Sequence, residues 1–284
     1  MSEALESLLG ILELERTGED TFVGNSLPKV GERVFGGQVL AQSLVAAART
    51  VDGERLAHSV HGYFLRPGVV SAPITFAVER LRDGRSFSAR RTHALQGDTP
   101  ILSMITSFQL EQEGFEHADA MPTGVPGPDE VPSVLDSLER VDPRVAAFWT
   151  KSSPFDMRHV DGSLYLQPAS RAAHRQRVWM RALGPVPADQ TLHRALLAYA
   201  CDHVMLEPVL RRHGASWATP GLSAASLDHA MWWHRDVRVD EWLLYVQAAP
   251  SAQSGRGLGV AQVFSQDGTL VASIAQEGML RLPE

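Results

Sequence analysis

The chain has 284 residues, 44% of them hydrophobic and 21% charged, a globular rather than a disordered composition and more length than one ordinary core needs. A formal net charge of -7 argues against a nucleic-acid partner, so any anionic ligand must be met by local arginines. The one cysteine, Cys201, excludes an intrachain disulfide and a cysteine-built metal cluster and fits a reducing compartment.

At the N-terminus, MSEALESLLGILELE is acidic and lacks the basic start of a secretory signal. No apolar run nears the roughly 20 residues of a membrane span, and the final Arg-Leu-Pro-Glu is not a peroxisomal tripeptide. The expectation is a cytoplasmic protein without membrane insertion. Ile11 to Arg16 and Thr21 to Val23 read as short strands around the turn Thr17-Gly18-Glu19-Asp20. A mainly apolar helical stretch, FGGQVLAQSLVAAART, follows. Gly36 and Gly37 stand at its start, where missing side chains let a ligand approach N–H groups that favour negative charge.

Strands are expected near 58–66, 73–82, 86–96 and 100–110, and Asp83-Gly84-Arg85 and Gln96-Gly97-Asp98 suit antiparallel hairpins. Residues 113–153 form a linker, with prolines at 122, 126, 128, 132 and 143 among acidic residues. Within it Val134, Leu135, Leu138 and Val141 recur at helical spacing, so one or two short helices are expected between Val131 and Trp149. Asp156 to Val160 and His174 to Ala182 read as strands, and Thr191 to Arg212 as one helix stopped by Gly214. The last strands are expected near 224–235, 240–249, 257–266 and 269–280.

Residues 35–110 and 192–284 thus follow one plan. Setting His61 on His229 lays Pro100 to Ser107 over Thr269 to Gln276, and the places of Asp202, Ser226 and Gln276 are then held in the first copy by Gly37, His58 and Ser107. Only the second copy carries the polar set, which points to a pseudo-dimer with one working site. The organisation expected is 1–112, a linker over 113–153, and 154–284 with the catalytic residues. Open sheet edges and the aromatic run at 231–233 point to a homo-oligomer.

A helix followed by antiparallel strands, twice over, is an α+β plan in which a curved sheet wraps a helix. The blocks VFGGQVLAQ, HSVHGYFLRPG, SLDHAMWWHR, DEWLLY and VASIAQEGMLR resemble those of the acyl-CoA thioesterase II family, in the same order and across nearly the whole chain outside the linker. The resemblance implies a double hotdog fold. It also implies cofactor-free hydrolysis of medium- to long-chain acyl-CoA to fatty acid and CoA, with an attacking water held by Asp202 in ACDHVML, Ser226 in ASLDHA and Gln276 in AQEGML.

The chemistry of these side chains agrees. A thioester is already electrophilic, so water needs a base for its proton and the oxyanion needs donors. An Asp carboxylate supplies the first, and Ser and Gln, which both donate and accept, can fix the water. A helix-start N–H at Gly36 or Gly37 is a candidate to polarise the thioester carbonyl. His58 is a candidate accessory. Asp228 and His229, as strand neighbours, point to opposite faces and cannot face one substrate. His58 and His61 differ by an odd number and make no metal chelate. Cys201 reads as packing.

An acyl tunnel is expected between Phe35, Val39, Met205 and Leu206. Arg66, Arg85, Arg90, Arg91, Arg235 and Arg256 are available near strand ends for CoA phosphates. Two other classes remain open: an enoyl-CoA hydratase or dehydratase, which wants His58 opposite Asp202, and an acyl-CoA sensor indifferent to loss of Asp202.

Overall fold

The computed structural model describes residues 1–28, 32–141, 152–169 and 173–282. Its first element is a helix, α1 (Glu3–Leu12), which corrects the expectation of a strand from Ile11. Ser2 Oγ accepts from the Leu5 amide at 3.2 Å, and Leu5, Leu8 and Leu12 form one buried stripe at helical spacing. Strand β1 (Glu15–Gly18) starts only after that stripe ends, and β2 (Thr21–Gly24) returns beside it. Helix α2 (Gly36–Ala48) carries no charged residue and is buried along nearly its whole length, as a helix enclosed by a sheet must be.

The first half continues with β3 (Leu56–Phe64), β4 (Ile74–Asp83), β5 (Phe87–Gln96) and β6 (Thr99–Gln109), joined as antiparallel neighbours. In the linker a 3-10 turn (Pro128–Glu130) precedes α3 (Val134–Val141), and residues 142–149 of the expected helical stretch lie outside the described residues. The second half comprises β7 (Phe155–His159), β8 (Arg175–Ala182), α4 (Gln190–Cys201), α5 (Glu207–Arg212), β9 (Ser223–Ser226), β10 (Asp228–Trp233), β11 (Leu243–Gln253), β12 (Arg256–Ser265) and β13 (Leu270–Arg281).

All these strands form one antiparallel sheet in the order β1-β2-β4-β5-β6-β3-β10-β13-β12-β11-β8-β7, with β9 beside β13. Read from either edge the order is the same, so β3 and β10 meet at a pseudo-two-fold between two equivalent units. This is the expected α+β double hotdog. The main core lies on the inner face, where Val39, Leu40 and Leu44 of α2 and Leu196 and Leu197 of α4 join Phe76, Met104, Val263 and Ile274 of the sheet.

The register between the halves differs from expectation by one residue. In β3 the buried side is that of Val60, whereas His61 is exposed; in β10 His229 is buried at 1% exposure beside Met231. Likewise Thr106 is buried in β6 and Gln276 in β13, while Ser107 is not. Equivalent strand residues must share a face, so His61 does not correspond to His229, nor Ser107 to Gln276. Val60 and Thr106, which pair across β3 and β6, stand where the second half has His229 and Gln276. In the place of Gln276 the first unit therefore has Thr106 rather than the expected Ser107.

The expected helix Thr191 to Arg212 is two helices. Pro208, in the first turn of α5, has no N–H for the carbonyl of Val204, so the bonding of α4 cannot run on through it. That carbonyl oxygen accepts from Glu207 N at 3.1 Å and from Gln247 Nε2 at 2.9 Å. It is α5, not α4, that lies on β8, β11 and β12 as α2 lies on β2, β4 and β5. The expected strand 224–235 is also divided: Leu227 separates β9 from β10, its amide donating to Glu277 O and its carbonyl accepting from Phe64 N.

Candidate active site

Asp202 sits where α4 ends, at the start of the bend that the proline imposes. Its carboxylate would be poorly placed against the negative end of α4 alone, but the start of α2 faces it, and Gly37 N donates to Oδ2 at 2.8 Å. This approach explains the glycines: a Cβ on Gly36 would lie 2.8 Å from Asp202 Oδ2, and one on Gly37 would lie 2.5 Å from the Tyr199 carbonyl oxygen. Oδ1 accepts from Ser226 Oγ at 3.0 Å and from Gln276 Nε2 at 2.8 Å, and the same Nε2 donates to Ser226 Oγ at 2.8 Å. Three side chains far apart in sequence thus form one closed set of hydrogen bonds.

Behind the set, Gln276 Oε1 lies 2.7 Å from Nδ1 of His229, a contact the sequence reading missed. Asp228 on the same strand does point elsewhere, accepting from the Glu277 amide at 2.7 Å. Cys201 Sγ donates to the Ala198 carbonyl at 3.2 Å, and burial, followed by the nearby charge of Asp202, pushes its thiol pKa well up. A buried, protonated thiol is packing, as expected, and no nucleophile.

A cavity of about 520 Å³ opens beside Asp202 and Ser226, within the range of about 300 to 1,000 Å³ typical of small-molecule sites. Phe35, Val39 and Leu206 line it as expected, together with Phe64 and Trp217. Met205 does not line it: this side chain is buried, and its carbonyl packs against Gly259. Of the candidate arginines Arg66 is at this cavity, joined by Arg33, which the sequence reading left out. Arg90 is unsuited to a surface role, being 1% exposed and bonded to Thr50 and Asp83. Arg91 pairs with Glu79, Arg256 with Glu277, and Arg235 holds the Leu270 carbonyl. Arg85 is exposed in the β4–β5 turn and is not part of the cavity lining.

His58 is not brought to Asp202. Its Nε2 lies 2.8 Å from Ser107 Oγ, and beside it Arg194 of α4 reaches across to the Ala57 carbonyl at 2.7 Å. Burial, and then the charge of Arg194, lowers the pKa of His58. Helix α4 therefore covers this part of the first unit with a buried cation. Among the described residues no helix is long and apolar enough to cross a membrane.

Comparison with known proteins agrees with this architecture. Residues 162–279 match the family described as "Acyl-CoA thioesterase", and residues 25–109 match "Acyl-CoA thioesterase N-terminal domain". The chain is 35% identical to "Acyl-CoA thioesterase 2" of Haemophilus influenzae over the full length of both. It is 36% identical to human "Acyl-coenzyme A thioesterase 8", covering 96% of this chain and 88% of that one. Among solved structures, an acyl-CoA thioesterase II of Mycobacterium marinum superposes with a TM-score of 0.81 at 42% identity, over 98% of this chain and 99% of that one. With both halves matched to the family and relatives of this identity spanning its whole length, the chain belongs to the acyl-CoA thioesterase family.

Proposed function

We propose that this protein hydrolyses acyl-CoA thioesters, with Asp202 as general base, Ser226 meeting the attacking water and Gln276 holding Asp202 and Ser226 in place around it. The observation that carries the reading is the closed set of bonds among these three side chains on the wall of an apolar cavity. Oδ2 of Asp202 takes one hydrogen bond from Gly37 and keeps room for another, so a water can donate to it while also meeting Ser226 Oγ. Asp202 takes the proton as the water oxygen adds to the thioester carbonyl carbon. The negative charge that forms on the carbonyl oxygen faces the start of α2, where Gly36, in the first turn, has an N–H with no intrahelical acceptor. Collapse breaks the C–S bond, and the departing thiolate recovers the proton.

The apolar lining suits medium- to long-chain acyl groups, and a single buried cysteine suits a cytoplasmic setting. A hydratase reading would need a histidine opposite Asp202, and His58 is bonded to Ser107 instead. The test is release of free thiol from a panel of saturated acyl-CoAs of rising chain length, beside an enoyl hydration assay on the same preparation. Thiol release that is fastest with medium or long chains is expected. Hydration without thiol release, or binding with neither, would replace this reading.

A further inference from the structure

One buried titratable side chain touches the proposed water-holding set without belonging to it: His229 of β10. Gln276 is itself fully buried, and its amide is used unsymmetrically. Both N–H bonds of Nε2 are engaged, one to Asp202 Oδ1 and one to Ser226 Oγ, each at 2.8 Å. Oε1 must then face the other way, where Nδ1 of His229 lies 2.7 Å away. An amide turned by half a rotation has almost the same shape, so packing alone does not select between the two orientations. In the turned form Oε1 would be set against the Asp202 carboxylate, acceptor on acceptor. A donor at Oε1 excludes that form.

Resting on the reading of Asp202, Ser226 and Gln276 given above, we propose that His229 is the positioning residue of the site: its Nδ1–H holds Gln276 Oε1 and so keeps both amide N–H bonds on Asp202 and Ser226. On the far side of the ring Nε2 lies 3.6 Å from Cys201 Sγ, whose one proton goes to the Ala198 carbonyl, so the 2.7 Å contact at Nδ1 is the one that sets the tautomer. Burial lowers the pKa of His229, against the opposing pull of the Gln276 hydrogen bond and the charges of Asp202 and Asp228, so the ring is neutral at neutral pH. A neutral ring brings no cation beside Asp202 to weaken it as a base. Its hydrogen bond therefore acts on orientation.

The test compares His229→Asn with His229→Leu. Asn keeps an N–H close to the place of Nδ1, Leu has similar bulk and none, and both lose the ring, so their difference reads the donor. The Leu variant is expected to lower kcat about 10- to 100-fold per folded molecule while KM stays within a few-fold, and the Asn variant to recover most of it. In a Gln276→Ala background the Leu substitution should change kcat by less than about two-fold, because it acts through Gln276. Equal kcat in the Asn and Leu variants, or losses that multiply in the double variant, would overturn the proposal. Ring 15N shifts of His229 in the wild type should place the proton on Nδ1, and a proton on Nε2 overturns the assignment whatever the turnover. A wild type that releases no thiol instead overturns the thioesterase reading, and the ring measurement still decides the tautomer.

Discussion

Asp202 accepts from Gly37 at Oδ2 and from Ser226 and Gln276 at Oδ1, and an amide oxygen in the place of Oδ1 keeps the last two. Asp202→Asn therefore preserves shape and much of the bonding while removing the atom that takes the proton. The expected outcome is a loss of kcat of roughly 10²- to 10⁴-fold with acyl-CoA affinity and melting temperature near wild type. Thiol release, ligand titration and thermal unfolding on the two proteins separate this from a structural role, which would lower the melting temperature and spare activity per folded molecule. Ser226→Ala and Gln276→Ala should each lower kcat more than they raise KM, since one meets the water and the other aligns Asp202 and Ser226 around it; a change in KM alone would remove them from these roles. At this scale the motif blocks made the three side chains legible. His229 was not, because its role depends on which residue of β13 it meets. Alternation of faces correctly separated it from Asp228, but it does not set cross-strand register, and a slip of one residue hides every contact across the strands.

The bend between α4 and α5 is the element that positions the base. It lies very close to the sheet: a Cβ on Gly259 of β12 would sit 1.9 Å from the carbonyl oxygen of Met205, an atom of backbone that cannot rotate away. Gly259→Ala should force the 202–206 segment off β12, destabilise the protein by about 1 to 3 kcal/mol as overpacking does, and lower kcat because Asp202 moves with the segment. Urea unfolding and thiol release check both parts, and a variant with wild-type midpoint and turnover would show that the bend does not fix the base. The break itself was visible in the sequence as Pro208, yet apolar periodicity runs through it from Leu192 to Leu210 and outweighed one residue. The separation of β9 from β10 left no such mark, because Leu227 fits a continuous strand equally well.

Across the whole molecule, the sheet order that reads alike from both edges reflects the repeated plan legible in the sequence. His58, His193, His229 and His234 all have their pKa lowered, burial being the leading cause for each. His193 is flanked by Asp189, Asp240 and Glu241, which oppose the shift, and by Arg238, which adds to it. The unfolded chain takes up protons at these histidines near their ordinary value of about 6.5, whereas the folded chain does so only at lower pH. Their contribution to stability is thus fully present above about pH 6.5 and is lost as pH falls towards the folded values. For a fully buried ring such as His229 the slope reaches about 1.4 kcal/mol per pH unit.

Asp20, held by its hydrogen bonds to Arg80, Asp83 by Arg90 and Asp267 by Ser265 have lowered pKa values as well. Their unfolded value is about 3.9, so their contribution fades only at more acid pH and in the same direction. Urea midpoints measured from pH 8 to pH 3 should accordingly stay level to about 6.5 and fall below it, with a second decline beginning near pH 4. His229→Asn, which removes one such proton uptake, should flatten the first decline at the expense of stability at pH 8. Midpoints that hold steady between pH 7 and pH 5 would mean that the folded and unfolded chains take up protons alike over this range, and burial would not then hold these histidines below their ordinary value.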